Sequence, residues 1–202
     1  MIANTITLSR LLLLAIAVWL LYMSGPIPKF IAFLLTIIII LMDAIDGVVA
    51  RARGETSELG AVMDIVIDRV VENVYWIVYS HLMLVPVWVA LVVVSRGIIT
   101  DAIRGYVLAK GETPFDMMKT PWARWIVSGR AMRAFYGIIK MVVFAALALY
   151  MALREWYPNA AWLAPLHLFI FALVLITVSI TILRGIPVLL ESRRYFFSEP
   201  VN

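Results

Sequence analysis

Residues 30–70 read FIAFLLTIIIILMDAIDGVVARARGETSELGAVMDIVIDRV, an apolar run that ends in carboxylates, a polar turn, and a second run that begins with carboxylates. No charge interrupts Phe30 to Met42. Asp43 and Asp46 then follow three apart, and Asp64 and Asp68 stand four apart beyond the turn at Gly54–Glu58. Both spacings put a pair on one face of a helix. The stretch therefore predicts a helical hairpin whose two consecutive, antiparallel helices bring four carboxylates together at one end.

The rest of the chain extends this pattern. A membrane-spanning helix needs about 20 mostly apolar residues, and the sequence predicts six: Leu11–Met23, Phe30–Ala50, Ala61–Ser80, Leu84–Ile103, Tyr136–Leu153 and Trp162–Leu183. Hydrophobic residues make up 64% of the chain and mean hydropathy is +0.98, which excludes an ordinary water-facing surface. The expected fold is an all-α integral membrane protein, residues 1–202 forming one domain, with a short N-terminal membrane-surface segment before the first span. Pro28 and Pro158 are expected in turns, and Pro86 near the start of the fourth span. Of the 17 basic residues, all but Lys29 and Arg154 fall on one side of the six-span layout. The positive-inside rule puts that side, with both termini, in the cytoplasm. Trp88, Trp156, Tyr157 and Trp162 read as anchors at the opposite interface. The net charge of +4 does not indicate nucleic acid, because the basic residues lie between apolar runs; anionic lipid and phosphorylated substrates are the expected partners. Without cysteine there is no disulfide framework and no thiolate metal site.

An ionised Asp at the centre of a spanning helix costs about 2.5–3.5 kcal/mol on insertion scales. Bound divalent cations offset that cost. Oxygen ligands with no His or Cys point to Mg²⁺ or Mn²⁺. Two such ions about 3.5–4 Å apart suit a displacement at phosphorus, where attacking and leaving oxygens both need stabilising. Gly47 opens the backbone beside Asp46, and Ala50 keeps the same helical face clear. Arg51, two turns beyond Asp43, is suited to a diphosphate. Gly60 permits close helix approach.

The full pattern is Asp43-x-x-Asp46-Gly47-x-x-Ala50-Arg51, eight residues, then Gly60-x-x-x-Asp64-x-x-x-Asp68. It resembles the signature of the CDP-alcohol phosphotransferases at every fixed position. That resemblance implies that Asp43, Asp46 and Asp64 hold two metal ions, and that Asp68 contacts one metal and acts as general base. Gly47, Arg51 and a loop hydroxyl, here Ser57, would bind the CDP-lipid together with the open face at Ala50, with Asn4 and Thr5 beside the nucleotide. The implied donor is CDP-diacylglycerol or an ether analogue, the implied assembly a homodimer, and the implied location the cell (inner) membrane with the site facing the cytoplasm. Asn4-x-x-Thr7-x-x-Arg10 resembles the opening of phosphatidylglycerophosphate synthases, which makes glycerol 3-phosphate the first expected acceptor. Inositol 1-phosphate is second, with serine or a second lipid after it. Two positions depart from that subgroup: its D-P-x-A-D-K is Asp64-Ile65-Val66-Ile67-Asp68-Arg69 here, and its R-E pair on span four is Arg96-Gly97.

Arg104, Arg130, Arg133 and Arg184 fall at cytoplasmic ends of spans four to six. They are candidates for an acceptor phosphate or, equally, for lipid headgroups. Arg96 and Lys140 are candidates of the same kind, ranked below them. Glu72 continues the Asp64/Asp68 face and is expected to pair with an arginine rather than extend the site. His81 is expected at the interface, and Gly105 and Gly137 at close helix contacts. An ion transporter would show paired repeats and broken helices, and none is visible. A prenyltransferase would space its two aspartate motifs far apart, whereas these share one hairpin.

Overall fold

The computed structural model describes residues 2–53, 58–111, 113 and 117–197; the side chains of residues 2–7, 43–53, 58, 59, 61, 130, 196 and 197 lie outside that description. Among the described residues the chain is all helical. The elements are α1 (Ile2–Tyr22), α2 (Pro26–Arg53), α3 (Glu58–His81), α4 (Val87–Ala109), the single turn α5 (Pro121–Ala123) leading into a π-helical turn at Arg124–Ser128, α6 (Arg130–Trp156) and α7 (Leu163–Phe197). The six long helices correspond to the six expected runs.

Four details differ from the sequence expectation. Ile2–Tyr22 is one unbroken helix, so no separate surface segment precedes the first long helix. Pro28 lies in the first turn of α2 rather than in a loop, where its missing N–H breaks no helical bond. Helix α7 continues through Pro187 to Phe197, well past Leu183. The apolar stretch on the C-terminal side of Pro187 supplies the packing that holds it there: Val188 is buried against Met117, Met118 and Val127. Finally, a Cβ added at Gly105 or Gly137 would meet nothing within 4 Å, so neither glycine marks a close helix contact within the chain.

The main helix contacts close a ring in the order α1, α2, α6, α7, α4, α3 and back to α1. The inward face of α3 fills much of the interior of that ring. Its Tyr75, Trp76 and Tyr79 are completely buried. Trp76 meets Phe144 of α6 edge-on, at 5.0 Å between ring centroids, and Tyr75 stacks on the same ring at 5.1 Å. The two tyrosine hydroxyls are satisfied: Tyr75 donates to Thr36 Oγ1 of α2 at 2.9 Å, and Tyr79 donates to the Phe144 carbonyl at 2.8 Å, whereas Trp76 Nε1 is buried with no partner among the described residues.

Large apolar side chains cover the outward faces as well as the core, unlike the surface of a water-soluble bundle. The outward faces carry Leu12 and Trp19 on α1, Leu34 and Ile38 on α2, Ile65 and Ile77 on α3, and Leu168 and Phe169 on α7. Thr36, Glu72, Thr100, Thr177 and Thr181 are buried inside. Two runs, Pro121–Trp156 and Leu163–Tyr195, are long and apolar enough to cross a membrane, and Leu8–Tyr22 and Pro26–Met42 are shorter runs of the same kind. At one end of the bundle Lys29 of α2, buried, forms an ion pair with Glu155 of α6 and donates to the Met23 carbonyl at 2.8 Å.

The bond from Tyr75 to Thr36 ties the inner helix across the ring to α2. Side-chain hydrogen bonds of this sort contribute about 0.6 kcal/mol in membrane proteins and at most about 1.7. Tyr75→Phe, which keeps the stacked ring, is expected to lower the thermal midpoint in detergent by a few degrees. A collapse of the fold on removing that hydroxyl would show that the tie carries more than this reading gives it.

Candidate active site

Asp64 and Asp68 lie one turn apart on the first half of α3, and both are about half exposed. Arg10 of α1 reaches them from across the α1–α3 contact. Its Nη2 donates to Asp68 Oδ1 at 2.7 Å, and its Nη1 stands 3.6 Å from Asp64 Oδ1. The arginine itself is only 2% exposed, so a buried guanidinium is held against two carboxylates that stay open on their other side. That geometry orients Asp68 by a direct hydrogen bond and sets Asp64 beside the same guanidinium. Their donor set suits a hard divalent cation. Asp43, Asp46, Gly47, Ala50 and Arg51 lie on the helical backbone of α2, and Asn4 and Thr5 on that of α1; the side chains of all seven lie outside the description. Ser57 lies outside the described residues altogether. Among the described residues no three His, Cys, Asp or Glu side chains cluster as a metal site.

One turn further along α3, Glu72 is buried and collects three donors. Lys140 Nζ of α6 lies 2.9 Å from Oε2, Arg69 Nη1 lies 3.2 Å from the same oxygen, and the Tyr136 hydroxyl lies 3.1 Å from Oε1. The expected pairing with an arginine is present, and a lysine joins it. Arg69 also grips Asp101 of α4 with two bonds, Nε to Oδ2 at 2.6 Å and Nη2 to Oδ1 at 3.1 Å. This fork-to-carboxylate geometry is the strongest the two groups can form. Arg10, Asp68, Glu72 and Lys140, with Gly137 and apolar residues of α2 and α6, line a cavity of about 170 Å³ next to the carboxylates.

The basic candidates are distributed around this network. Arg104 of α4 lies 3.8 Å from Asp101. Arg184 of α7 is buried and donates to the Met132 and Val127 carbonyls at 3.0 and 3.2 Å, joining α7 to the start of α6 and to the turn before it. Arg133 is exposed on the first turns of α6, and the side chain of Arg130 lies outside the description. Arg184 lies within electrostatic reach of Arg96, Arg104 and Arg133, so the three described candidates and Arg96 form one positive region. Arg96, ranked below the other candidates in the sequence, belongs to the same region. Its Nε is buried and has no hydrogen-bond partner among the described residues. It packs over Gly185, where a Cβ would come within 3.2 Å of Arg96 Cγ and 3.3 Å of Nε. Glycine at 185 thus leaves the room that this side chain occupies.

Arg10 was missed as a site residue, although the sequence carries a signal for it. It is the one basic residue before Lys29, set in an otherwise apolar run. His81, as expected, is exposed at the end of α3, where it meets the Tyr22 hydroxyl at 2.8 Å through Nδ1.

Residues 1–192 match the family model described as CDP-alcohol phosphatidyltransferase. No curated protein matches the chain.

A charge-assisted hydrogen bond contributes about 1.5–3 kcal/mol, or roughly 10–150-fold in an equilibrium. Arg10→Ala is therefore expected to lower turnover by an amount in that range while the protein stays folded, and Arg10→Lys to recover part of it. Wild-type turnover in Arg10→Ala would detach this arginine from the site.

Proposed function

The chain belongs to the CDP-alcohol phosphatidyltransferase family, and on that premise we propose that it is a six-span membrane enzyme that moves a phosphatidyl group from CDP-diacylglycerol to glycerol 3-phosphate. The family makes it a transferase of phosphate-containing groups in lipid synthesis, taking a CDP-alcohol donor and an alcohol acceptor. The observation that carries the finer reading is the juxtaposition of two environments. Half-open carboxylates, steadied by buried Arg10, lie one turn along α3 from Glu72, and Glu72 is within electrostatic reach of Arg96 in the positive region on α4, α6 and α7 that suits a phosphorylated acceptor.

In this reading Asp43, Asp46, Asp64 and Asp68 hold two Mg²⁺ or Mn²⁺ ions, which when bound withdraw charge from the phosphoryl oxygens. Gly47, Ala50, Arg51 and Ser57, with Asn4 and Thr5, seat the CDP-lipid. Asp68, oriented by the bond that Arg10 donates to its Oδ1, takes the proton from the acceptor hydroxyl. The acceptor oxygen bonds to the lipid-side phosphorus, the bridging P–O bond breaks, and CMP leaves. Arg96, Arg104, Arg130 and Arg133 orient the acceptor phosphate, and Arg184, whose guanidinium is held by the Met132 and Val127 carbonyls, adds positive charge to the region. The basic ends of the helices face the cytoplasm, and the site opens there, at the inner membrane; the enzyme works as a homodimer. Inositol 1-phosphate presents the same phosphate to the same arginines, whereas serine does not, and an ether-linked donor would leave the polar site unchanged.

Two measurements test this reading. CMP release from CDP-diacylglycerol is expected to stop in excess EDTA, to return with Mg²⁺ or Mn²⁺, and to be absent in Asp64→Asn with the fold intact. Undiminished release in chelator would overturn the metal-bound arrangement. Arg96→Ala and Arg104→Ala are expected to raise the acceptor KM by roughly 10–150-fold, leaving the donor KM near its wild-type value. The assay is run separately with glycerol 3-phosphate, inositol 1-phosphate and serine. Unchanged acceptor KM in both variants would move the preferred acceptor to one without phosphate.

A further inference from the structure

The segment between α4 and α6 has two unlike faces. Inward, Ala123 and Val127 pack with Met117 and Met118, all at 2% exposure or less, in a small second core against α4 and α7. Outward, Trp122 is 46% exposed and Trp125 is 64% exposed. The segment cannot swing freely to cover them, because α7 holds it at several points. Glu191 accepts from the Thr120 N–H and hydroxyl, at 3.2 and 2.8 Å. Arg194 donates to the Met117 carbonyl at 3.0 Å, and Arg184 donates to that of Val127. The tryptophans are therefore presented outward by a fixed platform.

What covers them follows from position and charge. Helix α6 has 27 residues and spans about 40 Å at 1.5 Å per residue. A bilayer with its headgroup regions is about 40–45 Å thick. Trp156 and Trp162 mark the far end of α6, and Trp122 and Trp125 mark the near end, so the two aromatic pairs are separated by about one bilayer. Between them Phe135, Ile138 and Val142 give α6 an exposed apolar face. Residues 119–133 carry Lys119, Arg124, Arg130 and Arg133 and no acidic residue, a complement to anionic headgroups. Tryptophan, with an apolar body and one N–H, favours this boundary.

We propose that the Pro121–Ser128 segment is an interfacial anchor, which seats Trp122 and Trp125 at the headgroup–acyl boundary of an anionic leaflet. The anchor holds the Val127 carbonyl, and so Arg184, at a fixed height relative to the lipid surface from which a lipid donor enters. This rests on the membrane-spanning reading above.

The chain has no cysteine, so a single introduced one takes a spin label uniquely. Trp125→Cys, Trp122→Cys, Lys119→Cys and Ile138→Cys are each labelled and reconstituted in phosphatidylcholine vesicles with and without phosphatidylglycerol. Collision with oxygen and with a water-soluble nickel chelate then gives depth. The expected result is a label at 122 or 125 with several-fold less nickel contact than at 119, shallower than at 138, and deeper when phosphatidylglycerol is present. An aqueous signal at 122 and 125 with a hydrocarbon signal at 138 overturns the anchor alone. Aqueous signals at all positions overturn the spanning reading with it. A label shielded from both reagents shows protein, such as a second copy of the chain, on this face, and also overturns the anchor. Should the cysteine variants not fold, quenching by brominated lipid in wild type and in the Trp122→Phe/Trp125→Phe double variant decides. Loss of shallow quenching in the double variant supports the anchor, and unchanged quenching removes it.

Discussion

Charge buried away from water must meet opposite charge, and the interior of this bundle is arranged around that constraint. Removing one partner of a buried ion pair costs several kcal/mol because the other is left without compensation. Arg10, at 2% exposure, is placed on Asp64 and Asp68. Glu72, buried as deeply, is placed under Lys140, Arg69 and Tyr136. Asp101 takes the fork of Arg69 and a longer contact from Arg104. These pairings join α1 to α3, α3 to α4 and α3 to α6. The polar interior therefore sets the relative rotation of four helices whose outward faces, being largely apolar, would tolerate many.

The same constraint separates the network from the site. Glu72 and Asp101 spend their oxygens on cations of the chain, so they hold helices in place. Asp64 and Asp68 both meet Arg10 and remain about half exposed, so they stay accessible to a ligand. On the basic side, Arg184 is committed to two backbone carbonyls, whereas Arg96 Nε is buried over Gly185 with no partner among the described residues. Solvated candidates and committed ones look alike in a sequence, since both are arginines near helix ends.

Much of the fold was legible because its signals are long. Six apolar runs become six long helices, and the i, i+4 step from Asp64 through Asp68 to Glu72 survives as one face of α3. What was not legible depends on contacts between distant residues. Nothing local to Pro187 says that α7 continues through it; the reason is the burial of Val188 beside Met117 and Met118, some 70 residues earlier in the chain. The segment at Pro121–Ser128 is too short to register as a period and is recognisable only once its inner face is packed. Arg10 likewise becomes a site residue through a contact 58 positions away. Asp43, Asp46 and Arg51 were the clearest residues in the sequence, and their side chains lie outside the description, so the family signature speaks for them.

Helix α3 shows why a single helix serves both stability and chemistry. Steps of four and three carry the Asp64, Asp68, Glu72 face onward to Trp76 and Tyr79, so one stripe changes from acid to aromatic along its length. At the aromatic end the stripe is wholly buried, and Phe144 of α6 packs against both Tyr75 and Trp76. At the acidic end it is half open and faces Arg10. Glu72 sits between the two regimes, buried like the tyrosines but charged like the aspartates. Its three donors come from α3 itself and from α6, so it lines the cavity beside Asp68 with a carboxylate that is already neutralised. The rigid half anchors the rotation of α3, and through one helical turn at Glu72 that rotation is passed to the carboxylates. A ligand arriving at Asp64 and Asp68 then meets groups already pointed by a packed core, which is the condition for catalysis by positioned charge.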